Sequence, residues 1–279
     1  MSTTAKHVAT PAAPATRQGD GPHPRNRSRR PAALSALILL SIVAAGCQAG
    51  AASTSTSSPS ETATTSSPAP SVAMLGGCPS GPCPLDPGTY RFGGDTIMPG
   101  LELTLPSGWS LQENNDRQTN LTPPGQPDDL LVLMIDIVAV KSTGHGHGST
   151  VLTRVGHTPP ALVAWLTHND DFTASTPTTV TTPHGPKMTT LVVGVSHRAH
   201  YGDGCPADRC ADLFTNRETG GGTTDWYGIG GDEVVRLYIG KVRVGGTHTF
   251  CVVLDAPNIT ALRTLEGAAN PVIDSLRLP

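Results

Sequence analysis

The sequence lacks the short patterns that usually announce an enzyme. It contains no G-x-S-x-G turn to lift a serine nucleophile and no H-E-x-x-H helix to hold zinc. It also has no G-x4-G-K-[ST] loop to cradle a phosphate. Ser196 and His197 are adjacent, but neighbours on a strand point to opposite faces, so the pair does not read as a dyad. Asp128-Asp129 and Asp170-Asp171 flank predicted elements and read as turn and helix-end residues rather than a general acid and base. No internal repeat is visible. After residue 47 the basic residues are scattered rather than clustered, which is a poor match for the footprint that nucleic acid rewards. Finally, the apolar run from Pro31 to Gly46 is sixteen residues long, short of the roughly 20 that span a bilayer.

That run is nevertheless the strongest signal present. Arg25, Arg27, Arg29 and Arg30 precede it, giving the positive flank, apolar stretch and small residues of a secretory signal peptide. Ala44-Ala45-Gly46-Cys47 resembles the lipobox of bacterial lipoproteins. The resemblance implies a diacylglyceryl group on the Cys47 thiol, with further acylation such as palmitate, and cleavage that leaves Cys47 as the new N-terminus. Alanine at the first lipobox position, where leucine is commoner, departs from the pattern. The alternatives are ordinary cleavage near Ala49 or an uncleaved anchor. Residues 1–30 form a long n-region, and a start codon placed too far upstream would explain it.

Charge divides the chain at the same place. Residues 1–47 carry six basic and one acidic side chain, and residues 48–279 carry 13 basic and 21 acidic. The expected arrangement is a signal peptide over 1–46 and a lipid-anchored disordered linker of Ser, Thr, Pro and Ala over 47–77. A single extracytoplasmic domain over 78–279 follows, attached to the outer face of the cell membrane through Cys47. A Ser/Thr/Pro/Ala composition cannot bury enough apolar area to offset the entropy of ordering it. About 200 residues then suffice for one well-buried core.

Within that domain, "GLELTLP" alternates with the period of a half-buried strand. "GWSLQ" follows a Pro-Ser-Gly turn, predicting a hairpin. "DLLVLMIDIVAV" reads as one central strand covered on both faces. "KMTTLVVGVS", "DEVVRLYIG" and "THTFCVVLD" read as further strands. Thr158 and Pro159 predict the start of a helix that places Leu162, Trp165 and Leu166 on one face. Ile259, Leu262 and Leu265 predict a second helix, which Pro271 should interrupt before a short turn carrying Val272, Ile273 and Leu276. Together these elements predict an α+β fold, a mostly antiparallel sheet packed by helices in an α/β sandwich.

The order "DPGTYRF", "LELTLPSGWSL", "PPALVAWLTHNDDFTASTPTTVTT", "VVRLYIGKVRVGGTHTFCVVLD", "NPVIDSLRLP" resembles a group of actinobacterial-type domains. These are small extracytoplasmic domains of lipoproteins and membrane proteins in high-GC Gram-positive bacteria. The resemblance covers nearly all of residues 85–279 and implies a fold similar to the Mog1/PsbP-like α/β sandwich. It implies no activity, because that group has no established function. Pro183-His184-Gly185-Pro186 replaces glycines usual in the group, and the Cys205 to Cys210 loop is an addition.

With Cys47 assigned to lipid, Cys78 and Cys83 bracket one Pro/Gly-rich loop, and Cys205 and Cys210 bracket another. Two local disulfides are the simplest assignment in an oxidising compartment, although four cysteines allow three pairings. Cys251 lies in an apolar strand and reads as a buried free thiol. His145 and His147 in a glycine loop are a candidate surface metal site, set against a plain exposed loop. Asp203, Asp208 and Asp212 around the second cysteine pair are a candidate calcium site, set against a solvated acidic turn. Trp226-Tyr227 in a glycine-rich loop can contact a partner or glycan, or simply pack. No catalytic residue, metal ligand or cofactor is assigned. The expected function is a non-enzymatic domain binding a small ligand or an envelope protein. The alternatives are an envelope hydrolase whose groups meet only in three dimensions and an accessory subunit of a membrane complex.

Overall fold

The computed structural model describes residues 71–78, 82–94, 96–116, 118–142, 149–199, 209–216 and 227–279, all within the unit Thr64–Pro279. The leader, Cys47 and the linker as far as residue 70 lie outside the described residues. In chain order the strands begin with β1 (Val72–Leu75), β2 (Cys83–Pro84), β3 (Gly88–Phe92) and β4 (Glu102–Leu105). Then come β5 (Ser110–Asn114), β6 (Gln118–Thr122), β7 (Leu130–Ile135), β8 (Ile137–Ser142) and β9 (Ser149–Val151). Helix α1 (Pro159–His168) precedes β10 (Phe172–Ala174), β11 (Thr178–Thr181) and β12 (Lys187–Val195). The chain continues through β13 (Cys210–Asn216), β14 (Tyr227–Gly230), β15 (Val234–Arg243) and β16 (Thr247–Ala256), and α2 (Ile259–Ser275) follows.

Nine of these strands form a central sheet in the order β10-β12-β15-β16-β7-β6-β5-β2, with β11 also on β12. Its pairings are antiparallel throughout. The two middle strands explain the long apolar runs of the sequence. Leu131 and Leu133 of β7 and Phe250, Val252 and Leu254 of β16 face one core. Val132, Met134, Cys251 and Val253, one residue out of phase, face the other. A period of two splits each run between two buried faces, so neither face leaves a polar stripe in the sequence.

On the first face lie α2 and a small sheet in the order β1-β3-β4. Leu262, Leu265, Ala269, Val272 and Ile273 of the helix meet Phe92, Leu103 and Leu105 there. On the second face lie α1 and a four-stranded sheet in the order β14-β13-β8-β9. Leu162 and Leu166 join Leu213, Phe214 and Ile229 in that core. The expected α+β sandwich is therefore corrected to a mostly-β fold, with one helix on each face of the central sheet. A helix needs only one apolar stripe, and here small sheets supply the rest of each cover.

Four local expectations change. The predicted Pro-Ser-Gly hairpin does not form, because β4 belongs to the small sheet and β5 to the central one. Gly108, at φ 86°, turns the chain from one to the other, and a Cβ there would lie 2.8 Å from Cβ of Pro124. The single strand read across "DLLVLMIDIVAV" breaks at Asp136, the one non-glycine residue at positive φ (51°) among the described residues. Beyond it, β8 joins the second-face sheet. The third change concerns α2, which runs unbroken through Pro271. Proline costs a helix interior about 3 kcal/mol, but Ala269, Val272 and Ile273 are all buried around it, and packing outweighs the lost bond. Lastly, ordered structure begins before Cys78. β1 pairs parallel to β3, and Leu75 is only 2% exposed.

Both helices start at residue types that favour an N-cap. In α1, Thr158 is the N-cap and proline fills the first position, although the threonine side chain makes no cap hydrogen bond. In α2, Asn258 Oδ1 accepts from the Thr260 and Ala261 backbone N–H groups, each at 3.0 Å, satisfying donors that the first turn leaves orphaned.

Candidate functional site

The described residues gather polar side chains in three places. The first is the crossover at Asp136. The peptide N–H of Asp136 donates to the Thr249 carbonyl at 2.8 Å. Its carboxylate takes the Thr249 N–H on Oδ1 at 3.3 Å and His248 Nδ1 on Oδ2 at 2.8 Å. The far nitrogen of the ring, His248 Nε2, lies 3.0 Å from the Val244 carbonyl oxygen. Thr249 Oγ1 donates in turn to the His157 carbonyl. An aspartate on one ring nitrogen is half of a hydrolytic triad. The other half is a hydroxyl on the second nitrogen, and here that nitrogen meets a main-chain acceptor. The geometry clamps the β15–β16 turn to the crossover; it does not present a base.

The second is the β5–β6 hairpin. Glu113 Oε1 accepts from Asn115 Nδ2 at 2.7 Å, and Oε2 accepts from Gln118 Nε2 at 2.7 Å and Asn120 Nδ2 at 3.0 Å. Asn114 adds a bond from Thr119 Oγ1 at 2.7 Å and reaches the Leu75 carbonyl at 3.2 Å through Nδ2. A carboxylate on three amide donors is well compensated for its partial burial. These bonds join β5 to β6 and tie β1 to β5.

The third lies under the second-face sheet, where the Tyr227 hydroxyl donates to Asp255 Oδ2 at 2.6 Å. Asp255, 1% exposed, stands at the end of β16. A buried carboxylate needs such a donor, because the uncompensated charge would cost several kcal/mol.

The residues singled out from sequence separate as follows. Cys78 and Cys83 form a disulfide with Cα atoms 5.9 Å apart, and Cys78 Sγ lies 3.6 Å from the Leu111 carbonyl. Cys210, at the start of β13, is disulfide-bonded, while Cys205 lies outside the described residues. Cys251 is free and buried, and burial pushes its thiol above its ordinary pKa, the wrong direction for a nucleophile. Cys47, His145, His147, Asp203, Asp208 and Trp226 lie outside the described residues. Asp212 sits part-buried on β13 beside Gly228. Among the described residues, no group of three or more His, Cys, Asp or Glu side chains is placed to hold a metal ion. No helix among them is long and apolar enough to cross a membrane. Ser196 and His197 follow β12 in a turn, and Ser196 Oγ accepts the Arg198 N–H at 3.1 Å.

The Asp136–His248 pair was not visible in the sequence. Its members are 112 residues apart, and the one hint was a lone aspartate inside an apolar run.

Neither a protein-family model nor a curated protein matches this chain. Among solved structures, the chain is similar to LpqN of Mycobacterium tuberculosis, described as involved in cell envelope biogenesis. Identity is 15%, with 71% of this chain and 91% of that one covered, at a TM-score of 0.33. A likeness at that level carries no argument about what this chain does.

Proposed function

We propose that the chain is a lipoprotein of the outer face of a bacterial cell membrane, anchored through a lipid on Cys47. Its mostly-β domain binds a ligand or protein at the cell envelope and does so without catalysis. The observation that carries the reading is the order of segments. Arg25 to Arg30, the apolar run Pro31–Gly46, Ala44-Ala45-Gly46-Cys47 and a Ser/Thr/Pro/Ala stretch lead into a folded domain. The Cys78–Cys83 disulfide supports an oxidising compartment. The Mog1/PsbP-like and actinobacterial-type resemblances fit the same location.

Support for binding over catalysis comes from how the polar groups are used. The Asp136–His248 pair closes on a main-chain carbonyl, and both oxygens of Glu113 hold amide donors. Among the described residues, these arrangements spend their polar groups on holding strands together.

The test is Cys47→Ala in the full chain, expressed in a bacterium that processes lipoproteins. The variant should lose labelling by a fatty-acid probe and move from the membrane pellet to the soluble fraction. Unchanged labelling would overturn the anchor.

A further inference from the structure

Among the described residues, β1 is an unguarded sheet edge. It lies at the end of the order β1-β3-β4, pairing on one side only. Among the described residues, the main-chain groups of Val72, Ala73 and Met74 have no hydrogen bonds beyond those to β3. Natural edges are usually blunted by charges, proline or a bulge. The stretch Ser71–Gly77, Ser-Val-Ala-Met-Leu-Gly-Gly, has neither a charge nor a proline. Val72 and Met74 are 48% and 62% exposed and stand on one face, while Leu75 holds the strand in the core. With Ile259, they are the large exposed hydrophobic residues of the described chain.

The surroundings are already neutralised. Met74 is in register with Arg91, whose Nε donates to Glu102 Oε1 at 2.8 Å. Val72 is in register with Thr89, whose hydroxyl pairs with that of Thr104 at 2.9 Å. An incoming neutral strand meets no uncompensated charge. A lipid surface fits less well, because bare main-chain groups in hydrocarbon cost several kcal/mol each, whereas a strand satisfies them.

We infer that β1 is a self-pairing edge. Two copies of the chain join β1 to β1 antiparallel across a two-fold axis, making one sheet of two three-stranded halves. A two-fold perpendicular to the sheet keeps the outer faces together, so opposed residues share parity. Centring the axis on Ala73 sets Val72 of each copy opposite Met74 of the other, on the exposed face. A neutral strand pairs with its own copy without the like-charge repulsion that a charged edge would bring. The partner is a second copy because the sequence that carries Cys47 leads directly into β1, so a lipid on Cys47 holds every copy in one leaflet. This step rests on the proposed anchor. Four-residue strands bury far less than the roughly 1,200 Å² of a stable interface. Confinement therefore has to supply the rest, giving pairing on membranes and monomers in dilute solution.

The test is the full chain carrying Ala73→Cys, oxidised in isolated membranes and run without reductant. Opposed antiparallel residues lie about 4.5–5.5 Å apart at Cα, within disulfide reach. Buried Cys251 does not compete. The expected result is a covalent dimer of twice the chain mass, absent from a Thr264→Cys control on the exposed side of α2. No dimer, a dimer equal to the control, or a cross-link to a protein of another mass would each overturn self-pairing. If Ala73→Cys disturbs the strand, a charge swap decides. Val72→Lys with Met74→Lys, both exposed, should abolish chemical cross-linking of the otherwise wild-type chain. Co-expression with Val72→Glu/Met74→Glu should restore it as a mixed dimer, and failure to restore it counts against the pairing. Fractionating the same samples separates the two claims. Protein in the supernatant that still cross-links removes the anchor and the need for confinement but keeps the β1 pairing; protein in the pellet that does not cross-link keeps the anchor and removes the pairing.

Discussion

Two of the points at which the chain passes from one sheet to another solve the same problem differently. At Gly108 it passes from the small sheet to the central one, and at Asp136 from the central sheet to the second-face sheet. Both residues sit at positive φ, 86° and 51°. Glycine reaches that conformation without a Cβ to oppose it, and the space around it is already filled by Pro124. Aspartate is opposed, and is held there by bonds to Thr249 and His248. One corner is permitted by an absent side chain, and the other is enforced by a present one. The first should tolerate no addition, whereas the second should tolerate any change that keeps the acceptor.

Substitutions at the two corners can break that contrast. Gly108→Ala should cost most, about 3 kcal/mol in denaturant unfolding. About 1–2 kcal/mol comes from the left-handed conformation, and the rest from the contact with Pro124. Adding Pro124→Gly should recover the contact part alone; full recovery would mean that the backbone conformation costs nothing there. Asp136→Ala should follow at about 2 kcal/mol, combining lost hydrogen bonds with the same backbone cost. Asp136→Gly should lie about 1 kcal/mol closer to wild type than Asp136→Ala, since it loses the bonds but relaxes the backbone. Equal midpoints for the two would show that the corner carries no strain. Asp136→Asn, which suits positive φ and keeps an acceptor for Thr249 N–H, should cost least, below about 1 kcal/mol. A larger loss would place the weight on the carboxylate charge facing His248.

These corners also mark where the sequence stops being legible. β7, β16, β12 and β15 could be read because runs of that length and composition have few other uses. The face each residue takes, and hence the two cores, follows from strict alternation. The α1 start was legible from Thr158-Pro159, and the Cys78–Cys83 loop from its brackets. Changes of sheet were not, because the apolar run continues across Asp136 and a Pro-Ser-Gly turn suits a hairpin as well as a crossover. Pro271 misled for the opposite reason. Its local cost is real, but three buried neighbours on the same helix outweigh it. β1 was hidden by composition, since the Ser/Thr/Pro/Ala stretch runs into it and only Leu75 is deeply buried. The Asp136–His248 clamp joins residues that no short-range pattern connects.

The cross-link between Cys78 and Cys83 has a mechanical consequence. Traction applied ahead of Ser71 would load β1 first, peeling Val72 and then the rest of the strand from β3. Unravelling then reaches Gly76 and Gly77 and meets a covalent stop three residues past Leu75. From there the load passes straight to β2 and its partner β5, and the intervening residues release no slack. The domain would give up β1, and Leu75 with it, before any load reached β2 and the central sheet.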